Sequence, residues 1–93
     1  MRYDFKKSFD RSIKRLNEDT QIEIKKLAFE VVDLVATGKA SSKGQGIARL
    51  HKDYWEARST IRERILFKLT DDTIQFILAG NHEDVKRFLK RIT

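Results

Sequence analysis

The chain has no cysteine and no proline, and only four glycines and two histidines among its 93 residues. Without cysteine there can be no disulfide and no thiolate metal site. The two histidines, His51 and His82, do not stand in an HExxH-type spacing, so the sequence points to no metal and no cofactor. The lack of proline is consistent with elements that run without interruption. Three of the four glycines, Gly38, Gly44 and Gly46, lie in one stretch, GKASSKGQG, with Ser41 and Ser42. That composition predicts a flexible connector, and it lacks the GxxxxGK[ST] pattern of a phosphate loop. No apolar run approaches the roughly 20 residues that span a bilayer. The opening MRYDFKKSFDRS has no signal-peptide apolar segment. The expected location is the cytoplasm.

A hydrophobic fraction of 40% argues against a disordered chain even with 37% charged residues. At this length the expectation is one domain spanning residues 1–93, with a single modest core. The net charge of +6 and pI near 9.8 suit a polyanion or an acidic protein as partner. They suit equally a domain that is merely basic.

Hydrophobic spacing predicts the element order. Tyr3–Phe5 is compatible with a short strand. From Lys6 to Asn17 the residues Phe5, Phe9, Ile13 and Leu16 form one helical stripe, with Lys7, Arg11, Lys14 and Arg15 on the other side. A second helix, capped by Asp19 or Thr20, carries Ile24, Leu27, Ala28, Val31, Leu34 and Val35 in helical rhythm, and Gly38 is placed to end it. The two helices together predict a helical hairpin packed on a sheet. Ile47–Lys52 adds a little extended structure. Asn81 is a good N-cap for a last helix through Ile92, with Asp84 at the capping-box position.

Between these lies YWEARSTIRERILFKLTDDTIQFILAGNH, which alternates like a β-meander. In Tyr54–Thr60, the residues Tyr54, Glu56, Arg58 and Thr60 share one face, with Trp55 and Ala57 on the other. In Arg64–Leu69, Arg64, Leu66 and Lys68 oppose Ile65, Phe67 and Leu69. Arg58 and Arg64 therefore sit near each other across a hairpin, on a face that also holds Lys68. Thr70-Asp71-Asp72-Thr73 supplies the next turn. Ile74–Ala79, nearly all apolar, predicts a strand covered by helices on at least one face. A basic sheet with a histidine at its rim is chemically suited to gripping a phosphate backbone.

The words KKSFDRSIKRL, YWEARST, RERILFKL and AGNHEDVKRFLKR, in this order and spacing, resemble the RelE/ParE superfamily of bacterial type II toxins, on its RelE/HigB-like side. The likeness runs over essentially the whole chain. It implies an α+β fold of order β-α-α-β-β-β-α: a small, mainly antiparallel sheet on a helical hairpin, with a C-terminal helix. It also implies an mRNA interferase that cuts messenger in the ribosomal A site and is neutralised by an acidic antitoxin. The cut needs no metal, because the RNA's own 2′-hydroxyl attacks the adjacent phosphate.

Carried over by residue, the resemblance makes Arg58 a phosphate contact, Arg64 the stabiliser of the transition state and His82 a proton-transfer group. A guanidinium presents a planar fork to two phosphate oxygens, and imidazole exchanges protons near neutral pH. Lys52, Arg49, Lys68 and Tyr54 are secondary candidates for RNA contact, Tyr54 by stacking. Two positions depart from the pattern: Phe88 stands where relatives carry a tyrosine, and Gln45 near a glutamate used by one branch. Each candidate also has a plain account. Arg64 can pair with Glu56 or Glu63 across the hairpin, Arg58 with Glu56, and His82 can be an ordinary first-turn surface residue. Two other functions stay open: a ParE-like DNA gyrase inhibitor, and a basic RNA-binding module without catalysis.

Overall fold

The computed structural model describes residues 1–38, 46–58 and 63–92. The described elements are β1 (Arg2–Phe5), α1 (Lys7–Ile13), α2 (Glu18–Ala36), β2 (Ile47–His51), β3 (Tyr54–Arg58), β4 (Arg64–Thr70), β5 (Thr73–Gly80) and α3 (His82–Ile92). The five strands form one sheet in the order β1-β5-β4-β3-β2. Only β1 is parallel to its neighbour, pairing Arg2–Phe5 with Thr73–Phe76; the other ladders are antiparallel. The α+β class predicted from sequence is the one observed. β2 is a full strand where the sequence suggested only some extended structure, so the predicted order gains one member. The connector 39–45, with Ser41, Ser42, Gly44 and Gln45, and the predicted end of the first meander strand at Thr60 lie outside the described residues.

Strand alternation sends Trp55, Ala57, Ile65, Phe67, Ile74, Phe76 and Ala79 to one side of the sheet. There they join Phe9 and Ile13 of α1 and Ile24, Ala28 and Val31 of α2 in the main core. The opposite side holds a second, smaller cluster in which Leu66 and Ile77 meet Val85 of α3, with Tyr54, Leu78, Phe88 and Leu89 around them. β5 is thus covered on both faces. A register shift makes this possible: Leu66 pairs with Leu78 but Phe67 with Phe76, so Ile77 is an extra residue in β5. A bulge of this kind breaks strict alternation, and it lets both Ile77 and Leu78 serve the α3 side.

Local chemistry sets most boundaries. α1 stops at Ile13, short of the predicted Asn17, because Asn17 is itself the N-cap of α2: its side chain accepts a hydrogen bond from the Thr20 amide at 2.8 Å. Asp19 and Thr20 therefore lie inside the first turn of α2 and do not cap it. α2 ends as expected, with Gly38 in the left-handed region at φ +75° and its amide donating to Val35. At α3 the predicted box closes. Asn81 Oδ1 accepts from the Asp84 amide at 2.9 Å, and Asp84 Oδ2 accepts from the Asn81 amide at 3.0 Å.

β1 ends before β5 does, which would leave an open edge. The next turn of chain covers it, because Ser8 Oγ donates to the Ile77 carbonyl and Ser12 Oγ accepts from the Ala79 amide at 2.9 Å. The hydroxyls of α1 replace the missing strand partner. Ser12→Ala strands the Ala79 amide in a part-buried setting and is expected to cost about 1–2 kcal/mol, read as a lower urea midpoint at unchanged m value. No helix among the described residues is long and apolar enough to cross a membrane.

Candidate active site

Register brings the site together. Arg58 is the direct partner of Arg64 between β3 and β4, and Arg64 is the partner of Gly80 between β4 and β5. The chain turns into α3 two residues after Gly80, so His82 arrives beside Arg64 although 18 positions separate them. The Arg64 guanidinium donates from Nη1 to His82 Nδ1 at 3.3 Å. A guanidinium has only donors, so this contact uses the Nδ1 lone pair and leaves Nε2 for another partner.

Two arginines directly opposed on a sheet repel, and Glu56 relieves that repulsion. Its Oε1 accepts from Arg64 Nη1 at 2.6 Å and lies 3.6 Å from Arg58 Nε. Glu56 is 4% exposed, the only buried charged residue among those described. The Arg64 side chain is about one-fifth exposed, whereas that of Arg58 is about two-thirds exposed. One carboxylate thus holds one guanidinium tightly and a second loosely, with both still accessible from solvent. Of the two acids offered by the sequence as partners of Arg64, the geometry shows Glu56. What sequence reading missed is its burial. The only local signal was an acid two places before Arg58 on the same strand face.

The remaining candidates are dispersed. Tyr54 and Lys68 are partners at the other end of the same face, about 13 Å along the strand from Arg58 at ~3.3 Å per residue. Lys68 Nζ sits 5.7 Å from the Tyr54 ring centre, and that ring packs against Phe88 at 5.9 Å. α3 therefore covers the stretch of the face between the two groups, with Val85 packed against Leu66 and Ile77. Arg49 pairs with Trp55, on the side of the helical hairpin. Its Nε donates to the Lys52 carbonyl at 2.6 Å, tying down a turn in which Lys52 has φ +50°. Lys52 is exposed in that turn, away from Arg64. His51 is the partner of Tyr54. Trp55 and Phe67 lie in or against the main core, as their strand parity predicts. Gln45 lies outside the described residues.

Gly80 is required by this geometry. A Cβ added there would stand 2.5 Å from Asp84 Oδ2 and 2.9 Å from Asp84 Cβ, so the start of α3 would have to shift. Gly80→Ala is expected to break the capping box and move His82 off Arg64. The expected readout is about 1 kcal/mol of lost stability from the cap, together with a change in the His82 imidazole NMR signals.

The fold is that of the RelE-like toxins. A copper-bound mutant toxin from Helicobacter pylori superposes with a TM-score of 0.67 at 16% identity, over 91% of this chain and 98% of that one. A chain of the RelB–RelE antitoxin–toxin complex from Methanococcus jannaschii gives 0.65 at 18% identity, over 90% and 95%. YafQ from E. coli strain BL21(DE3) gives 0.65 at 16% identity, over 91% and 98%. No protein-family model and no curated protein matches the chain. At these identities the likeness establishes the fold.

Proposed function

We propose that this protein is the toxin of a type II toxin–antitoxin pair and an endoribonuclease that cleaves messenger RNA in the ribosomal A site. The observation that carries the reading is the Arg58–Glu56–Arg64–His82 cluster, on a fold shared with RelE and YafQ. The 2′-oxygen attacks phosphorus and forms a new P–O bond while the bond to the 5′-oxygen breaks, giving a cyclic phosphate and a free 5′-hydroxyl. The proton lost by the 2′-hydroxyl balances the one gained by the 5′-oxygen. His82, exposed and steered by Arg64, is the titratable group placed for one of these transfers. Arg64 and Arg58 neutralise charge on the phosphoryl oxygens, and Glu56 holds Arg64 in position without covering it. Phe88 packs under Tyr54 and has no proton to give.

The partner implied is an acidic antitoxin, drawn to a chain of net charge +6 by complementary charge. The RelB–RelE and DinJ–YafQ structures, which share the fold, are toxin–antitoxin complexes. The test is a cleavage assay on purified ribosomes carrying a defined message, with new 5′ ends mapped. Cuts within the A-site codon that disappear in Arg64→Ala support the reading. Intact message with continuing growth arrest would refute it and direct attention to gyrase.

A further inference from the structure

The sheet ends at β2 on one side and β1 on the other. β2 is irregular, its register shifting between Arg49 and His51, and such a kink guards an edge against strand addition. β1 has no such shift. The amides of Arg2 and Lys6 donate to the Asp72 and Phe76 carbonyls of the β5 side at 2.8 and 3.0 Å. Backbone groups alternate sides along a paired strand, so the amide and carbonyl of Tyr3 and Phe5 point away from β5. Among the described residues no strand meets them there. On the α2 side of this edge Tyr3 and Phe29 are each about half exposed, their rings 5.8 Å apart. Alternation puts Arg2 and Asp4, both exposed, on the opposite face. Asp4 is 3.6 Å from Lys6, and Arg2 forms no ion pair among the described residues. β1 pairs with Thr73–Phe76, whereas Arg64 pairs with Gly80, so this edge lies apart from Arg64 and His82.

We propose that the outer edge of β1 is a self-association surface, to which β1 of a second copy adds antiparallel, joining the two sheets into one. A two-fold axis at Tyr3 is the arrangement the side chains fit. It sets Tyr3 against Tyr3 of the second copy as a hydrogen-bonded pair, each amide donating to the other's carbonyl. Phe5 and Met1 form the flanking bonded pairs. Arg2 then stands opposite Asp4, and Asp4 opposite Arg2, in the closer non-bonded pairs where opposite charges across a sheet attract. The same axis keeps both α2 helices on one face, so the exposed Tyr3 and Phe29 rings of both copies lie along the seam. Charge selects this occupant. An acidic segment laid on the edge would meet Asp4 as well as Arg2, and a basic one would meet Arg2 and Lys6. The strand's own sequence, run in reverse, satisfies both. A two-fold contact is closed and stops at a dimer. With a strand of only four residues the interface is small, and the dimer should form at about 10–100 μM. Neither the edge nor its occupant depends on the ribonuclease reading.

The test is sedimentation equilibrium of the full chain from micromolar to millimolar concentration, where wild type is expected to pass from monomer to dimer. Asp4→Arg sets Arg2 against an arginine in both pairs, and Arg2→Asp sets Asp4 against an aspartate. Each variant alone should weaken the dimer about tenfold or more. Mixed in equal amounts, the two variants bring arginine against aspartate in both pairs and should form a mixed dimer at least as tight as that of wild type. Its formation also shows that both variants fold. Arg2→Asp/Asp4→Arg restores complementarity within one chain and should dimerise again. Wild type that stays monomeric throughout the range overturns the proposal. A dimer indifferent to the charge reversals lies elsewhere on the surface and overturns it too. So does a monomer whose Tyr3 amide is protected from hydrogen exchange only when an acidic peptide is added, which gives the edge to a partner strand.

Discussion

On the ribonuclease reading proposed above, Arg64→Ala is expected to reduce A-site cleavage by about 10²–10³-fold, the typical effect of deleting one positioned donor at developing charge. It should also cost stability, because the buried Glu56 carboxylate loses its 2.6 Å partner. Removing one member of a fully buried pair costs about 3–5 kcal/mol. Here Arg64 is itself partly exposed and Arg58 stands 3.6 Å from the same oxygen, so about 1–3 kcal/mol is the expected range. Single-turnover cleavage and urea unfolding, measured together, separate the two effects. Adding Glu56→Gln to Arg64→Ala removes the unpaired charge and should return much of the stability while leaving cleavage low. Arg64→Lys keeps a charge without the fork and should likewise be closer to wild type in stability than in rate. If the double variant regained cleavage along with stability, Arg64 would be a structural residue, and its catalytic assignment would fall.

Phe76→Ala is expected to be the most destabilising single truncation. Phe76 is completely buried on β5, stacked on Phe5 at 4.9 Å and in contact with the rings of Phe9 and Phe67 at 5.9 and 6.2 Å. It therefore joins β1, α1 and β4 in one aromatic cluster. Such a truncation costs about 3–5 kcal/mol, a large share of the roughly 5–15 kcal/mol that holds a domain together. With an m value near 1–3 kcal/mol/M the urea midpoint should fall by about 2 M. Phe29→Ala is the control. Phe29 also touches Tyr3 and Phe5 but is half exposed, and it should cost well under half as much. Equal losses at the two positions would mean that the cluster around Phe76 is not the core.

Much of this molecule was legible along the chain, because its signals are local. Helical spacing in α2, the Asn81–Asp84 box and the glycine that ends α2 each involve residues within a few positions of one another. Strand parity put Trp55 and Phe67 on one side and Glu56, Arg58 and Arg64 on the other, since alternation needs no partner. The errors were also local, where two short-range options competed. Asn17 and Asp19 are both good caps, and which one ends the joint depends on where α1 stops to place Ser12 against the edge of β5.

What the sequence determined by itself is the set of amphipathic elements, their caps, and a basic face bearing Arg58 and Arg64. Only the tertiary structure decided that His82 lies against Arg64 and that Glu56 is buried between two arginines. Each of these depends on register and packing between segments far apart in the chain. Periodicity in one segment carries no information about which residue of another will face it, nor about which polar side chain a covering helix will remove from water.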